Sequence, residues 1–512
     1  MKQQKRIRTV FGVSATLVLC AALSSAPAIV GPVAAQQTPQ SSQVSLSAEA
    51  RGAVAAFEAR AKAYAARREA LELKLPKLEK ESTPEQIEGH KTIFQETVRL
   101  DREGAKQGDV FTPDISAHIR EVIKGEFQGR ERTELWQTVL EAETKGVPLR
   151  VNYPYPESKE LVEMPPTLLL KLPQLPKQLR YRFVGQNLLL VDRENGLIVD
   201  FMTNALPPAP GPVAVAAPDP PAENSSTPEA ARVAAPAASS ALRLTLPVKE
   251  KSVRFLVVGD TGTGTEKQHE LAELMHRYRQ AFPFEFALLM GDNMYGGEKA
   301  EDFKAKFEDV YRKLLDEQVT FYASLGNHDE SNQRFYDLFN MKGEEYYRIE
   351  KGNVAFYALN SNYMDKKQVQ WLEAQLANDK SEWKIAFFHH PPYSSGGKHG
   401  SSSKLREIVE PIFLRHGVNV VLAGHEHFYE RVKPQKGIYY FISGAGGKLR
   451  QGDVKKGSPL TEKAYDKDMS FMLVEVAGDQ MHFQVISRTG ETVDSGVITH
   501  QKKRSAATTA AP

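Results

Sequence analysis

The chain has 512 residues, with 66 Lys and Arg against 64 Asp and Glu, so its formal net charge is only +2. Hydrophobic residues make up 41% and charged residues 25% of the sequence, values that exclude wholesale disorder, a collagen and a polytopic membrane protein. The single cysteine, Cys20, excludes a disulfide-stabilised fold, and the balanced charge gives no indication of nucleic-acid binding.

The first 35 residues have the pattern of a secretory signal peptide. Basic residues at positions 2–8 precede an apolar run, Val10–Leu23, and small residues follow up to Ala35. The apolar run is shorter than the ~20 residues that a membrane-spanning helix needs. The pattern predicts cleavage after Ala35, an exported protein (periplasmic or secreted) and no membrane span after cleavage. An uncleaved N-terminal anchor is the alternative interpretation.

Residues 36–202 are predicted to form a separate N-terminal domain, helical at first and then α+β. Ser82 and Thr83 before Pro84 are typical of a helix start, and Arg193–Gly196, which interrupts the β-rich run Leu188–Phe201, is typical of a hairpin turn. No ligand spacing occurs in this segment. We therefore expect a scaffold, or a domain that docks an envelope or protein partner.

Two stretches have compositions that cannot form a packed core. Residues 203–245 are rich in Ala and Pro and lack hydrophobic periodicity, which predicts a linker. Residues 501–512 are predicted to be a disordered tail. Between them, in residues 246–500, short apolar runs alternate with amphipathic helical patterns. This alternation predicts a layered α/β domain.

Potential metal ligands follow the predicted strands of the 246–500 segment directly. In open α/β sheets, ligands bind at the carboxyl ends of the strands, so we expect these loops to converge. Their oxygen and nitrogen donors suit Fe, Zn or Mn, and they are numerous enough for two metal ions that share a bridging carboxylate. The residues are Asp260, Asp292, Tyr295, Asn327, His328, His389, His390, His425 and His427.

Five motifs give residues 250–500 a family resemblance. The segment resembles the calcineurin-like metallophosphoesterases, specifically the purple (tartrate-resistant) acid phosphatase branch, which carries GDxG, GDxxY, GNH[DE], VxxH and GHxH. Ala386, which replaces the Val of VxxH, is the only departure, and it is a strand residue rather than a ligand. The matching segments, in the same order, are Gly259–Gly262, Gly291–Tyr295, Gly326–Asp329, Ala386–His389 and Gly424–His427.

The resemblance implies a layered β-sandwich flanked by helices and two metal sites. It implies that the first metal, Fe(III), is bound near Tyr295, and that the second is Fe, Zn or Mn. Asp292 would bridge the two ions. The remaining implied ligands are Asp260, Tyr295 and His427 for the first metal, and Asn327, His389 and His425 for the second.

The same resemblance implies that His328 and His399 contact the phosphate of a small phosphoester and that one of them protonates the leaving group. His390 is assigned to the substrate pocket, with a second-shell donor or a packing residue as alternatives. Asp329 is expected to support His328 from the second shell.

The predicted function is hydrolysis of phosphomonoesters by attack of a metal-bound hydroxide, in an exported acid phosphatase-like enzyme. A phosphodiesterase on the same metal centre is the alternative within this chemistry. A non-catalytic envelope-binding protein with a metal-stabilised scaffold is the alternative from another class. Iron-based redox chemistry is a third interpretation.

Overall fold

The computed structural model describes residues 46–128, 136, 139, 144–156, 159–208 and 242–500. The predicted signal peptide, the tail and most of the predicted linker lie outside these residues. We refer to residues 47–208 as the N-terminal region and to residues 242–500 as the C-terminal region. No helix in the described parts of the chain combines the length and the apolar character needed to cross a bilayer.

The N-terminal region consists of helices packed on a small sheet. The helices are α1 (Ala48–Glu72), α2 (Pro84–Asp101), α3 (Pro113–Glu126) and the short α4 (Pro166–Leu169). At the start of α2, Thr83 and Gln86 cap each other's backbone, with Pro84 in the first turn as predicted. Strands β1 (Leu179–Val184), β2 (Asn187–Asp192) and β3 (Ile198–Met202) form an antiparallel sheet, with the predicted hairpin turn between β2 and β3.

The C-terminal region contains the remaining strands and helices. Its helices are α5 (Glu266–Ala281), α6 (Ala300–Phe303), α7 (Asp309–Asp316), α8 (Lys366–Asn378) and α9 (Ser403–His416). Its strands are β4 (Val253–Val258), β5 (Phe286–Leu289), β6 (Thr320–Ala323), β7 (Tyr347–Lys351), β8 (Val354–Ala358), β9 (Trp383–Phe387), β10 (Val420–Ala423), β11 (Tyr429–Gln435), β12 (Ile438–Ser443), β13 (Thr461–Tyr465), β14 (Ser470–Ala477), β15 (Gln480–Ser487) and β16 (Thr492–Thr499).

These strands form two sheets packed face to face. The six-stranded sheet has the order β16-β15-β14-β4-β5-β6, and the seven-stranded sheet has the order β13-β11-β12-β10-β9-β8-β7. Side chains from both sheets meet in one core, in which the rings of Phe255 and Phe356 lie 5.1 Å apart. Helices α5 and α7 pack on the outer face of the first sheet, and α8 and α9 on that of the second. The predicted fold class, a β-sandwich flanked by helices, is confirmed.

Parallel strands in each sheet position the loops that carry the predicted ligands. Strands β4, β5 and β6 are mutually parallel, and β8, β9 and β10 form a parallel set in the other sheet. The loops after β4, β5 and β6 therefore leave one sheet at the same edge, and those after β9 and β10 leave the other sheet together.

The N-terminal and C-terminal regions pack against each other within one compact unit. Backbone hydrogen bonds cross the interface from Ser82 N–H to the Phe335 carbonyl (2.8 Å) and from Leu161 N–H to the Asn327 carbonyl (2.7 Å). Buried ion pairs also cross it, including Glu194 with Arg334 at 2.6 Å. The bond to Asn327 shows that part of the N-terminal region lies directly against a predicted ligand loop.

Candidate metal centre

The ligand loops leave their strands through sharp turns. Asp260, Asp292 and His425 have φ values of 57°, 52° and 71°, in the left-handed region that strains residues other than glycine. Hydrogen bonds between loops hold these turns, including Asp260 N–H to the Gly291 carbonyl (2.9 Å). The backbone thus aims these side chains at one another at a local cost in strain.

Glycines permit the loops to approach closely. A Cβ added at Gly326 would lie 2.1 Å from Asp292 Oδ1, and one added at Gly424 would lie 2.6 Å from Asp260 Oδ2. Neither position has room for a side chain, so both positions require glycine next to the neighbouring carboxylate.

Three predicted ligands form a first cluster. The Tyr295 hydroxyl lies 3.1 Å from Asp260 Oδ1 and 3.3 Å from His427 Nε2. His427 Nε2 lies 3.5 Å from Asp260 Oδ1. Asp260 and His427 are buried, so all three donor atoms converge in a place shielded from bulk water.

Three more predicted ligands form a second cluster. Asn327 Oδ1 lies 2.8 Å from His389 Nε2 and 3.1 Å from His425 Nδ1, and the two ring nitrogens are 3.1 Å apart. Asp292 Oδ1 lies 3.4 Å from His389 Nε2, while a carboxylate oxygen of Asp292 also groups with Asp260 and His427. Asp292 therefore lies between the clusters, in the position predicted for a bridging ligand.

The chemistry of these donors fits a pair of cations. His389 Nδ1 contacts the Met290 carbonyl at 2.8 Å. A carbonyl only accepts, so Nδ1 carries the proton of the neutral ring and Nε2 presents a lone pair to Asn327 Oδ1, itself an acceptor. Burial, together with the charge of Asp292, raises the pKa of Asp260 well above its usual range. A cation bound between His389 Nε2 and Asn327 Oδ1 would accept electron pairs from both atoms. Cations would also offset the repulsion between the Asp260 and Asp292 carboxylates.

The two predicted phosphate-contacting histidines lie next to the clusters. His328 Nε2 is 3.9 Å from Asp292 Oδ2, and its ring centroid is 4.5 Å from that of Tyr295. The His399 ring lies 4.2 Å from that of His425, and burial, with the nearby charge of Arg450, holds the pKa of His399 well below its usual value. The loop that carries His399 thus brings it to the second cluster.

His390 and Asp329 occupy supporting positions. His390 is buried, its Nδ1 lies 2.9 Å from Ser361 Oγ, and its ring lies 4.5 Å from that of His425. Asp329 accepts hydrogen bonds from the backbone N–H groups of Asn293, Met294 and Gly326 at 2.7–3.1 Å. Asp329 therefore fixes the two loops that present Asp292 and Asn327.

The site also includes residues that the sequence reasoning missed. Glu160, from the N-terminal region, places Oε1 3.1 Å from His328 Nε2. Glu163 accepts a hydrogen bond from Ser402 Oγ at 2.9 Å and lies 4.0 Å from His390 Nε2. Both glutamates lie in a Pro-rich stretch without a motif, so no local signal identifies them.

Comparison with known proteins assigns the class of the C-terminal region. Residues 253–429 match the family described as calcineurin-like phosphoesterase, and this segment is a calcineurin-like phosphoesterase domain. Tartrate-resistant acid phosphatase type 5 of Oryctolagus cuniculus is 29% identical over 238 residues, which cover 38% of this chain and 73% of the relative. Purple acid phosphatase 17 of Arabidopsis thaliana is 26% identical over 290 residues, which cover 49% and 85%.

A solved structure is also similar, the purple acid phosphatase PPD1 from yellow lupin (Lupinus luteus) seeds. It has 16% identity and a TM-score of 0.42, over 50% of this chain and 55% of that one. The relatives by sequence are acid phosphatases, which hydrolyse phosphoric esters. The predicted resemblance and the predicted enzyme class, a hydrolase of phosphoric ester bonds, are confirmed for this segment.

Proposed function

We propose that the chain is an exported enzyme that hydrolyses phosphomonoesters at a two-metal centre. The observation that carries the proposal is the convergence of two clusters of donor atoms on either side of Asp292. Each cluster has the oxygen and nitrogen donors of a hard or borderline metal site.

The donor sets support a division of the proposed ligands between two metal ions. Asp260, Tyr295 and His427 would hold one ion, which the phenolate of Tyr295 favours as Fe(III). Asn327, His389 and His425 would hold Fe, Zn or Mn, and Asp292 would reach both ions. When bound, such a pair supplies the Lewis acidity that activates water and offsets charge on a phosphoryl group.

The protein's own side chains would then bind and orient the ester. His328 and His399 flank the clusters, where each would contact a phosphoryl oxygen. His328 would give the proton to the leaving oxygen, because the depressed pKa of His399 leaves that ring unprotonated. Lys448 Nζ lies 4.0 Å from the centroid of the Tyr295 ring, a position from which its charge attracts an anionic substrate. His390, held by Ser361, would keep the second cluster in place rather than contact the ester.

The test compares metal content and hydrolysis in the purified protein. Elemental analysis and a visible spectrum should show two metal ions per chain and a tyrosinate–iron absorption band. p-Nitrophenyl phosphate should be hydrolysed faster than bis-p-nitrophenyl phosphate, and the opposite order would assign a phosphodiesterase. N-terminal sequencing of the exported protein should begin after Ala35.

Variants connect the activity to the clusters. Asn327→Ala or His425→Ala should reduce kcat/KM by a factor of about a thousand or more, because each removes a ligand of the second cluster. The matched control is His416→Gln, at the end of α9, where the histidine pairs with Glu373 at 2.9 Å. Full activity in the ligand variants would contradict the proposal.

A further inference from the structure

A stretch of the N-terminal region, Lys159–Met164, is hydrogen-bonded to the loop after β6, which carries Asn327, and to the segment after β8. Leu161 N–H donates to the Asn327 carbonyl at 2.7 Å, and Met164 N–H donates to the Asn362 carbonyl at 3.2 Å. The Tyr155 hydroxyl donates to the Glu160 carbonyl at 2.8 Å. These bonds fix the peptide group that follows Glu160 and the residues after it, so the side chain of Glu160 has a defined place beside the candidate metal centre.

The Glu160 carboxylate lies at the edge of the proposed substrate pocket. Its Oε1 is 3.1 Å from His328 Nε2, the same nitrogen that lies 3.9 Å from Asp292 Oδ2. The side chain of Glu160 is 21% exposed, so a ligand can reach it. Because a carboxylate repels a phosphoryl group, a phosphoester that contacts His328 would turn its alcohol part, rather than its phosphoryl group, toward Glu160.

Both cations and carboxylates lie around the candidate metal centre. Two cations lie beside the first cluster: Lys448 Nζ over the Tyr295 ring at 4.0 Å, and Arg450 Nη2 3.3 Å from His427 Nδ1. Carboxylates from the N-terminal region lie beside His328 and His390, and the charge of Lys448 also acts on His328. A substrate with an anionic and a cationic end would match both sets of charges.

We propose that Glu160 is a specificity-determining residue that selects phosphomonoesters whose alcohol part carries an ammonium group. The inference rests on the proposed function and names the substrate class of that same site. The carboxylate attracts an ammonium group on the leaving alcohol and repels a second anionic group there. The N-terminal region thereby contributes to substrate recognition.

The test uses two substrates with two-carbon alcohol parts and opposite charges, phosphoethanolamine and phosphoglycolate. The wild-type enzyme should have the higher kcat/KM for phosphoethanolamine. In Glu160→Gln, which keeps the shape and removes the charge, the ratio of the two kcat/KM values should fall by at least about tenfold. Glu160→Ala should lower this ratio in the same direction.

The ratio separates specificity from a structural role, because a general loss of packing lowers both rates together. The matched control is Glu88→Gln, another carboxylate of the N-terminal region that contacts the C-terminal region, by accepting from Ala300 N–H at 3.2 Å; it should leave the ratio unchanged. An unchanged ratio in both Glu160 variants would overturn the inference. Wild-type protein without activity on any phosphomonoester would instead contradict the proposed function.

Discussion

Glu194 offers the sharpest test of the interface between the two regions. Its carboxylate contacts three arginines: Arg334 of the C-terminal region at 2.6 Å, Arg193 at 3.0 Å, and Arg68. The Glu194 side chain is 16% exposed and that of Arg334 is 1% exposed. Replacing Glu194 by Gln leaves these guanidinium groups buried with less compensating charge.

The pKa of Glu194 gives the magnitude. Burial alone would raise it, but Arg334, Arg68 and Arg193 outweigh burial and lower the pKa from an ordinary 4.5 to about 2. Each pH unit of such a difference is worth about 1.4 kcal/mol, so the ionised carboxylate contributes about 3 kcal/mol to folding. This value agrees with the usual cost of losing one partner from a buried ion pair, which is about 3–5 kcal/mol of folding free energy.

The assay is equilibrium urea denaturation of the full chain, followed by tryptophan fluorescence. At pH 7, Glu194→Gln should lower the free energy of unfolding by about 3 kcal/mol. Because the folded-state pKa is depressed, this contribution is complete above about pH 4.5 and disappears as the pH falls toward about 2. The stability curves of wild type and variant should therefore converge in acid.

The control is Glu96→Gln. Glu96 forms an ion pair with Arg99 at 2.8 Å, and the Glu96 and Arg99 side chains are 50% and 46% exposed. This exposed pair should have no measurable effect on stability. Equal stability of wild type and Glu194→Gln at pH 7 would refute the reasoning, as would a deficit that persists unchanged at pH 2.

Three further predictions concern single positions. Gly326→Ala should reduce metal content and activity with little change in far-ultraviolet circular dichroism, because its Cβ would lie 2.1 Å from Asp292 Oδ1; wild-type metal content would contradict this. Tyr295→Phe should abolish the long-wavelength absorption band, and a retained band would exclude tyrosinate ligation. Gly52→Ala in α1 should raise the free energy of unfolding by about 0.5–1 kcal/mol, because an added Cβ meets nothing within 4 Å. A lower free energy of unfolding in urea would show that the helix does not tolerate the added methyl group.

The sequence predicted that these donor atoms converge because the candidate ligands follow the ends of their strands. A Gly-Asp or Gly-His step after an apolar run is a local signal, and parallel strands bring such steps together. Asp260, Asn327 and His425 were therefore identifiable without coordinates, and the structure places them where donor atoms converge.

Other features depend on contacts between distant segments. Glu160 meets His328 only because the N-terminal region folds back on the ligand loops, and no local pattern encodes that meeting. Strand β11 was not predicted because its charges resemble those of a loop. Its Arg431 is half-buried in the sheet and donates to Asp494 Oδ2 of β16 at 2.8 Å, so a partner far along the chain satisfies the charge.

The left-handed backbone at Asp260, Asp292 and His425 has a consequence for engineering. The strain at each such position is about 1–3 kcal/mol, which glycine would relieve. A library screened for thermostability alone would therefore enrich glycine at these three positions and lose catalysis in the process. Engineering for thermostability should therefore keep these three residues unchanged and introduce substitutions in the exposed helices instead.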